Sequence, residues 1–409
     1  MQTRRHFIGN VATGLAGSLA TGHALGANNR IRVGVIGMGE RGVQLTREAM
    51  ACSNVEFVAA ADVYSRRLDE ARSLVANCNE PGFKGYADYR ALLEDKSIDA
   101  VLIATPQHLH AECFIAAMDA GKHVYQEKAM AFTVEHAKFM RAARERSPRS
   151  VVQVGHQACS SGQIADAASY LASGAVGQVT AIHARMYRNT PAGKPQWTRP
   201  LYPDMTPENV SWQTFLGNAP ARDFDPDRLV NWRLFWDYSG GNVHESMSHQ
   251  FAFWSKLMDL SIPAAATMTG GVYLWKDGRE VPDTMNVALE LTREEMQEEI
   301  LFTWDSGFGN NYPGVTEDVL GTHGTIARGQ QIRYVPQRVN RPGGSELMGQ
   351  TPTVPRAHMQ DFLNAIRSGG ETACPFDLGY RVSVACHMAV ESYLQQRTVR
   401  WDAVNEEIV

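Results

Sequence analysis

From residue 30 onward the chain alternates short apolar runs with longer stretches of helical spacing. IRVGVI at 31–36, VEFVAAAD at 55–62, AVLIATP at 100–106, HVYQEK at 123–128 and VVQVGHQ at 151–157 are rich in β-branched and small apolar residues. Runs of that length, closed by turn residues, predict strands buried on both faces. Between them, ERGVQLTREAM (40–50), YADYRALLEDKSIDA (86–100), AECFIAAMDAGK (111–122) and AFTVEHAKFMRAARER (131–146) predict helices. Strand–helix repetition of this kind predicts a doubly wound parallel sheet. After Gln157 the pattern loosens. GQVTAIHARMYRN (177–189), AAATMTGGVYLW (264–275), MNVALELT (285–292), EEILFTWDSGF (298–308) and GTIARGQQIRYVP (324–336) predict strands with turns between them. They read as a large open sheet, mixed or antiparallel. VNRPGGSELMGQTPTVP (339–355) predicts a flexible loop, and AHMQDFLNAIRSG and DLGYRVSVACHMAVESYLQQ predict two closing helices.

A chain of 409 residues exceeds what one core usually holds, so two domains are expected. The change of pattern places them at 28–156, a nucleotide-binding α/β domain, and 157–409, an α+β domain for substrate binding and oligomerisation. Residues 1–27 read as a leader: Arg4 and Arg5 precede VATGLAGSLATGHALGA, too short and too rich in Gly and Ala for a membrane span. The arginine pair with Phe7 two positions on resembles a twin-arginine signal, which implies export of an already folded protein to the periplasm. An ordinary secretory signal or an uncleaved anchor are the alternatives.

The net charge of −5 gives no basic stripe for nucleic acid. The six cysteines show neither CxxC nor zinc-type spacing, so no metal site is expected, and most read as buried thiols.

Gly37, Gly39 and Gly42 form G-x-G-x-x-G between the first strand and the first helix. Gly37 permits the tight turn, Gly39 lets the backbone (with Met38) approach a pyrophosphate, and Gly42 lets helix and strand pack closely. The helix N-terminus offers free N–H groups to the phosphates. Asp62 closes the second strand twenty residues later, where a carboxylate meets the adenosine ribose. The expected cofactor is therefore a nicotinamide dinucleotide in a Rossmann domain. Asp62 favours NAD, and Arg66 and Arg67 keep NADP open.

Ligands of such sheets bind at the carboxyl ends of the strands. Those ends carry Thr105, Pro106, His108, His110, Glu127, Lys128, His156 and Gln157. With these residues the chain resembles the Gfo/Idh/MocA oxidoreductase family from about Arg30 to Asp402. ATPQHLHAE is similar to that family's stretch beside the nicotinamide, GKHVYQEKAM to its G-K-x-V-x-x-E-K-P-M, and GGNVHESMSH (240–249) to its G-G-x-x-x-D-x-x-x-H. Two positions depart: Ala129 stands for the family's proline and Glu245 for its aspartate. The resemblance ties Lys128 and His249 to the chemistry, and implies dimers or tetramers through the second domain's sheet.

Hydride transfer from a sugar C–OH needs a carbon facing the nicotinamide, a base for the hydroxyl proton and a donor for the alkoxide. Lys128 is the candidate donor, or base. His249 is the candidate proton carrier, and Glu245, four residues before it, shares its face if the segment is α-helical. The loop-rich stretch 187–238 supplies sugar-pocket residue types: Tyr187, Arg188, Trp197, Trp232, Arg233, Trp236 and Tyr238. The expected function is an NAD(P)-dependent oxidoreductase for a sugar, sugar derivative or polyol, holding its cofactor tightly because an exported enzyme has no nucleotide pool to draw on. The alternatives are redox-neutral glycoside cleavage through a transient 3-keto sugar, and an exported sugar-binding relative without chemistry.

Overall fold

Six strands, β1 (Ile31–Ile36), β2 (Val55–Ala61), β3 (Lys84–Tyr86), β4 (Ala100–Ile103), β5 (His123–Gln126) and β6 (Val152–Val154), form one parallel sheet in the order β3-β2-β1-β4-β5-β6. The architecture comes from a computed structural model that describes residues 30–76, 82–293, 296 and 298–409. The leader at 1–27 and Cys78 lie outside the described residues. The other five cysteines are buried free thiols. Every residue of β4 is buried, and its neighbours β1 and β5 are nearly so. That is the burial a central parallel strand requires, and it explains their continuous apolar runs. The strand order reverses between β1 and β4, leaving a crevice at their carboxyl ends.

The second sheet has ten strands, in the order β14-β13-β12-β11-β7-β10-β9-β8-β15-β16. Its centre is β7 (Val179–Tyr187), β8 (Ala265–Gly271), β9 (Thr284–Arg293), β10 (Glu298–Gly307) and β11 (Val315–Gly321). The flank is β12 (Gly324–Arg328), β13 (Ile332–Pro336) and β14 (Leu347–Met348), and the far edge is β15 (Val399–Asp402) with β16 (Glu407–Ile408). β7 and β10 are parallel and their other pairings antiparallel, so the sheet is mixed and open, as expected. One face is apolar: Ile182, Val287, Leu289, Phe302 and Trp304 pack under the helices Ser248–Met258 and Phe376–Gln395. Buried Glu317 on β11 joins the layers by accepting from Trp254 Nε1 at 2.7 Å and Gln250 Nε2 at 2.9 Å and pairing with Arg328. No described helix is long and apolar enough to cross a membrane.

Two features differ from the sequence expectation. The helix Ala357–Ser368 does not join the second sheet. Its Met359, Phe362 and Leu363 pack with Ile31, Val33, Leu102 and Tyr125 on the first. The segment GGNVHESMSH is not a simple α-helix either: Val243–Met247 is a π-turn that runs into Ser248–Met258. A π-turn inserts a residue into the helical spacing, so Glu245 and His249 are no longer one regular turn apart.

Candidate active site

The glycine loop is a cradle that side chains cannot enter. Gly37 has φ +91°, and a Cβ there would lie 2.8 Å from the Ala104 carbonyl oxygen; at Gly42 it would lie 1.9 Å from that of Gly37. The helix Glu40–Met50 starts at Gly39 without a side-chain cap, leaving its first-turn N–H groups for an anion. At the end of β2, Asp62 accepts from Met38 N at 2.7 Å and Tyr64 N at 2.9 Å, with Arg67 Nη1 3.7 Å from its Oδ2. Asp62, Arg67, Tyr89, Thr105 and Thr214 line one narrow cavity beside Gly37. A side-chain-free loop, an uncapped helix and a carboxylate at the ribose position fit a nicotinamide dinucleotide. Both nearby arginines are already engaged, Arg67 by Asp62 and Arg66 by Glu70 and Asp204, so the cradle favours NAD over NADP.

A second cavity of ≈ 240 Å³ opens at the ends of β4, β5 and β6. Its centre is a charge cluster. Lys128 Nζ donates to Glu245 Oε2 at 3.0 Å and to the Glu245 carbonyl at 2.9 Å. Arg233 Nε donates to the same Oε2 at 3.1 Å, and Gln107 Nε2 to Oε1 at 2.7 Å. Burial alone raises the Glu245 pKa, but the charges and hydrogen bonds of Lys128 and Arg233 more than reverse it, holding the carboxyl well below the ordinary range. Glu245 therefore stays ionised and carries no proton. His249 lines the same cavity; burial, then the charge of Lys128, then His156 lower its pKa well below 6.5. The fully buried His156 ring stands edge-on to it, centroids 5.4 Å apart at 87°. On the opposite wall Glu127 accepts from Arg41 Nε at 2.7 Å and from the Lys128 backbone N–H at 3.1 Å. The Lys128–Ala129 peptide is cis.

The structure thus brings Thr105, Glu127, Lys128, Gln157, Trp232, Arg233, Glu245 and His249 to one cavity. Other expected residues fall elsewhere. His108 is buried between Phe215 and Tyr238 with Nε2 2.7 Å from the Phe215 carbonyl, and His110 is buried between the carbonyls of Ala129 and Thr105. They hold the loops beneath the cofactor site and line neither cavity. Pro106 precedes the short 3-10 turn Gln107–Leu109 and lines neither cavity. Met38 contributes its N–H, to Asp62, while its side chain is core. Tyr238 is 0 % exposed in an aromatic core, so it cannot reach a sugar. Trp236 packs toward Tyr393, and Tyr187 lies beside Gly307 on β7. Arg188 is outside the lining, though the charge of Glu245 partly opposes the burial that lowers its pKa. On a regular helix Glu245 would share the face of His249, to bind substrate or to orient the imidazole. The hydrogen bonds of Glu245 instead go to Lys128, Arg233 and Gln107. Arg41 and Gln107 were not anticipated; their only signal was position, inside the glycine motif and directly after Thr105-Pro106.

These features define an α/β protein with a dinucleotide cradle beside a polar cavity. Residues 31–156 match the model of the oxidoreductase family with an NAD-binding Rossmann fold, GFO_IDH_MocA. Over that stretch, about a third of the chain, the sequence is similar to the Gfo/Idh/MocA oxidoreductases. The chain is 30% identical over 158 residues to inositol 2-dehydrogenase of Salmonella typhimurium, covering 38% of this chain and 46% of that one. It is 37% identical over 139 residues to a glycosyl hydrolase family 109 protein of Stenotrophomonas maltophilia, covering 32% and 31%. The chain spans less than half the length of these curated relatives. Two solved structures share the fold through both sheets: levoglucosan dehydrogenase with NADH and levoglucosan (TM-score 0.67, 20% identity, 91% of this chain and 99% of that one), and WlbA dehydrogenase of Bordetella pertussis with NADH and UDP-GlcNAcA (0.66, 18%, 91% and 99%).

Glu245→Asp shortens the side chain by one methylene and cannot keep all three donors. A hydrogen bond to a charged group contributes about 1.5–3 kcal/mol, so kcat/KM should fall roughly 10- to 100-fold while NAD affinity stays within about twofold. Steady-state kinetics with an NAD titration measures both, and an unchanged kcat/KM would remove Glu245 from the machinery.

Proposed function

We propose that this protein is an NAD-dependent oxidoreductase that moves hydride between its cofactor and a sugar, sugar derivative or polyol. One observation carries the reading: Lys128, clamped by Glu245, faces the same cavity as a neutral His249 at the strand ends beside the dinucleotide cradle. A bound nicotinamide supplies the hydride acceptor or donor. Gly37, Gly39, Gly42 and Asp62 hold the dinucleotide's ribose and phosphates. Lys128 has three N–H donors and two are taken, leaving one for a substrate oxygen that becomes an alkoxide. His249, kept neutral, accepts the hydroxyl proton. Trp232, under the Arg233 guanidinium at 4.3 Å, offers a ring face at the cavity wall.

Cofactor retention has support in a strap from the second half of the chain. Ser65 N donates to Asn209 O and Ser211 N to Val63 O, pairing the strap with the segment after β2. Arg199 makes two 2.8 Å bonds to Glu40 at the start of the cradle helix, and Arg66 pairs with Asp204. Thr214, further along, lines the adenosine-side cavity. Export by the twin-arginine route fits a protein that folds around its cofactor first. The outward face of the ten-stranded sheet, with Leu301 exposed, supports a homodimer or homotetramer. The family 109 relative favours a second reading, redox-neutral glycoside cleavage.

Protein purified without added nucleotide, denatured and analysed by mass spectrometry, should release stoichiometric NAD; an empty site would overturn retention. Lys128→Ala should abolish NADH-linked turnover on a sugar and polyol panel and spare NAD binding. Unchanged turnover would remove the mechanism, and aryl-glycoside cleavage without net NADH would establish the second reading. The acceptor form of His249 is the neutral one, and a lowered pKa keeps it neutral to lower pH. So kcat/KM should stay level as pH falls through 6.5, with its acid limb below that value. An acid limb centred at 6.5 would exclude His249 as the buried base.

A further inference from the structure

We infer that Gln107 is a positioning residue that fixes the charge cluster from the nucleotide-binding half of the chain. Its side chain is 0 % exposed and makes two bonds to the opposite half. Oε1 accepts from Gly240 N at 2.9 Å, and Nε2 donates to Glu245 Oε1 at 2.7 Å. The first bond sets the second: an N–H can only face the amide oxygen, so the amide nitrogen must face the carboxylate. Gly240 opens the segment whose π-turn carries Glu245, and a Cβ there would lie 2.3 Å from the His244 ring. Gln107 thus holds both the start of that segment and the end of its functional side chain.

The division of donors gives this bond its effect. Both cations sit on Glu245 Oε2, and the neutral amide occupies Oε1. With Oε1 held, the carboxylate cannot rotate Oε2 away from the two cations, so Lys128 keeps the same two bonds and the same free N–H. An amide suits this place. A cation would compete with Lys128 for the charge, and an apolar side chain would leave a buried carboxylate oxygen without a donor.

The inference rests on the proposed hydride-transfer reading for its kinetic consequences, but not for its geometry. Gln107→Met keeps the length and removes both bonds. It should lower kcat roughly 10- to 100-fold and leave NAD binding near wild type, and the unpaired Glu245 Oε1 and Gly240 N–H should lower the melting temperature. Gln107→Glu puts a second carboxyl against Glu245, and the pair must share a proton. While that proton is held, the variant still donates to Glu245; once it is lost, the two charges repel. The variant should therefore be active at low pH and lose activity as pH rises, through an alkaline limb that wild type lacks. Its melting temperature relative to wild type should fall as pH rises from the ordinary glutamate range, about 4.3, up to that limb and level off above it, because a carboxyl pKa raised in the folded state loses its stabilisation across that window. The melting measurement needs no turnover. If it shows the shift while wild type turns over no sugar or polyol, the positioning geometry stands and the functional reading fails. A wild-type kcat in Gln107→Met, or a wild-type pH profile in both measurements for Gln107→Glu, would overturn the inference.

Discussion

Two cations share one nearly buried carboxylate at the meeting of the two halves, and the rest of the site is arranged around that cluster. Taking charges out of water costs several kcal/mol per ion, and removing one partner of a buried pair typically costs about 3–5 kcal/mol. Such a cluster persists only if every donor and acceptor is delivered to its place. Lys128 comes from the end of β5, Arg233 from the loop-rich stretch before the π-turn, and Gln107 from the turn after β4. The carboxylate draws all three onto one point, so the wall carrying His249 is registered against the dinucleotide cradle. Burial first, and then the charge of Lys128, lower the His249 pKa, while Glu245 partly opposes them, so the electrostatics of the base depend on the geometry of the donor.

Much of this was legible in the chain. Continuous apolar runs named the strands of the first sheet because a parallel strand buried on both faces leaves no room for polar alternation. The glycine triplet and Asp62 were legible because backbone geometry dictates them: a Cβ at Gly37 or Gly42 meets a carbonyl oxygen. Lys128, Glu127 and Gln157 were found because strand ends are where such sheets bind ligands. What escaped depends on contacts between distant segments. The partner of Glu245 could not be read from an i, i+4 spacing, since the π-turn changes the phase of the segment. Aromatic composition in the 187–238 stretch pointed to a sugar pocket, yet Tyr238 is core. Residue type cannot separate a ring that stacks on sugar from one that fills a loop cluster. His108 and His110 follow a strand end as expected of cofactor contacts, but both are buried with ring nitrogens against backbone carbonyls and line neither cavity.

The ion pairs of the strap differ in kind from the central cluster. Arg199–Glu40 and Arg66–Asp204 are substantially exposed, and such pairs contribute about 0–1 kcal/mol each. They join the backbone bonds between 63–65 and 209–211 in tying the strap to the nucleotide-binding half. The strong pairing is placed where water is excluded, and the weak pairing where it is not.

The return of Ala357–Ser368 to the first sheet has a consequence for biogenesis. Ile31 and Val33, among the earliest described residues to leave the ribosome, are covered by Met359, Phe362 and Leu363, among the last. In a nascent chain ending near residue 156, Leu45, Ala49, Ala71 and Val75 would cover part of that side of the sheet, and the patch taken by Met359, Phe362 and Leu363 would stay open until some two hundred further residues had been made. The nucleotide-binding half is therefore not a module that closes during synthesis and waits for its partner. That side of its core is completed only once Ala357–Ser368 has been made and has folded back onto the first sheet.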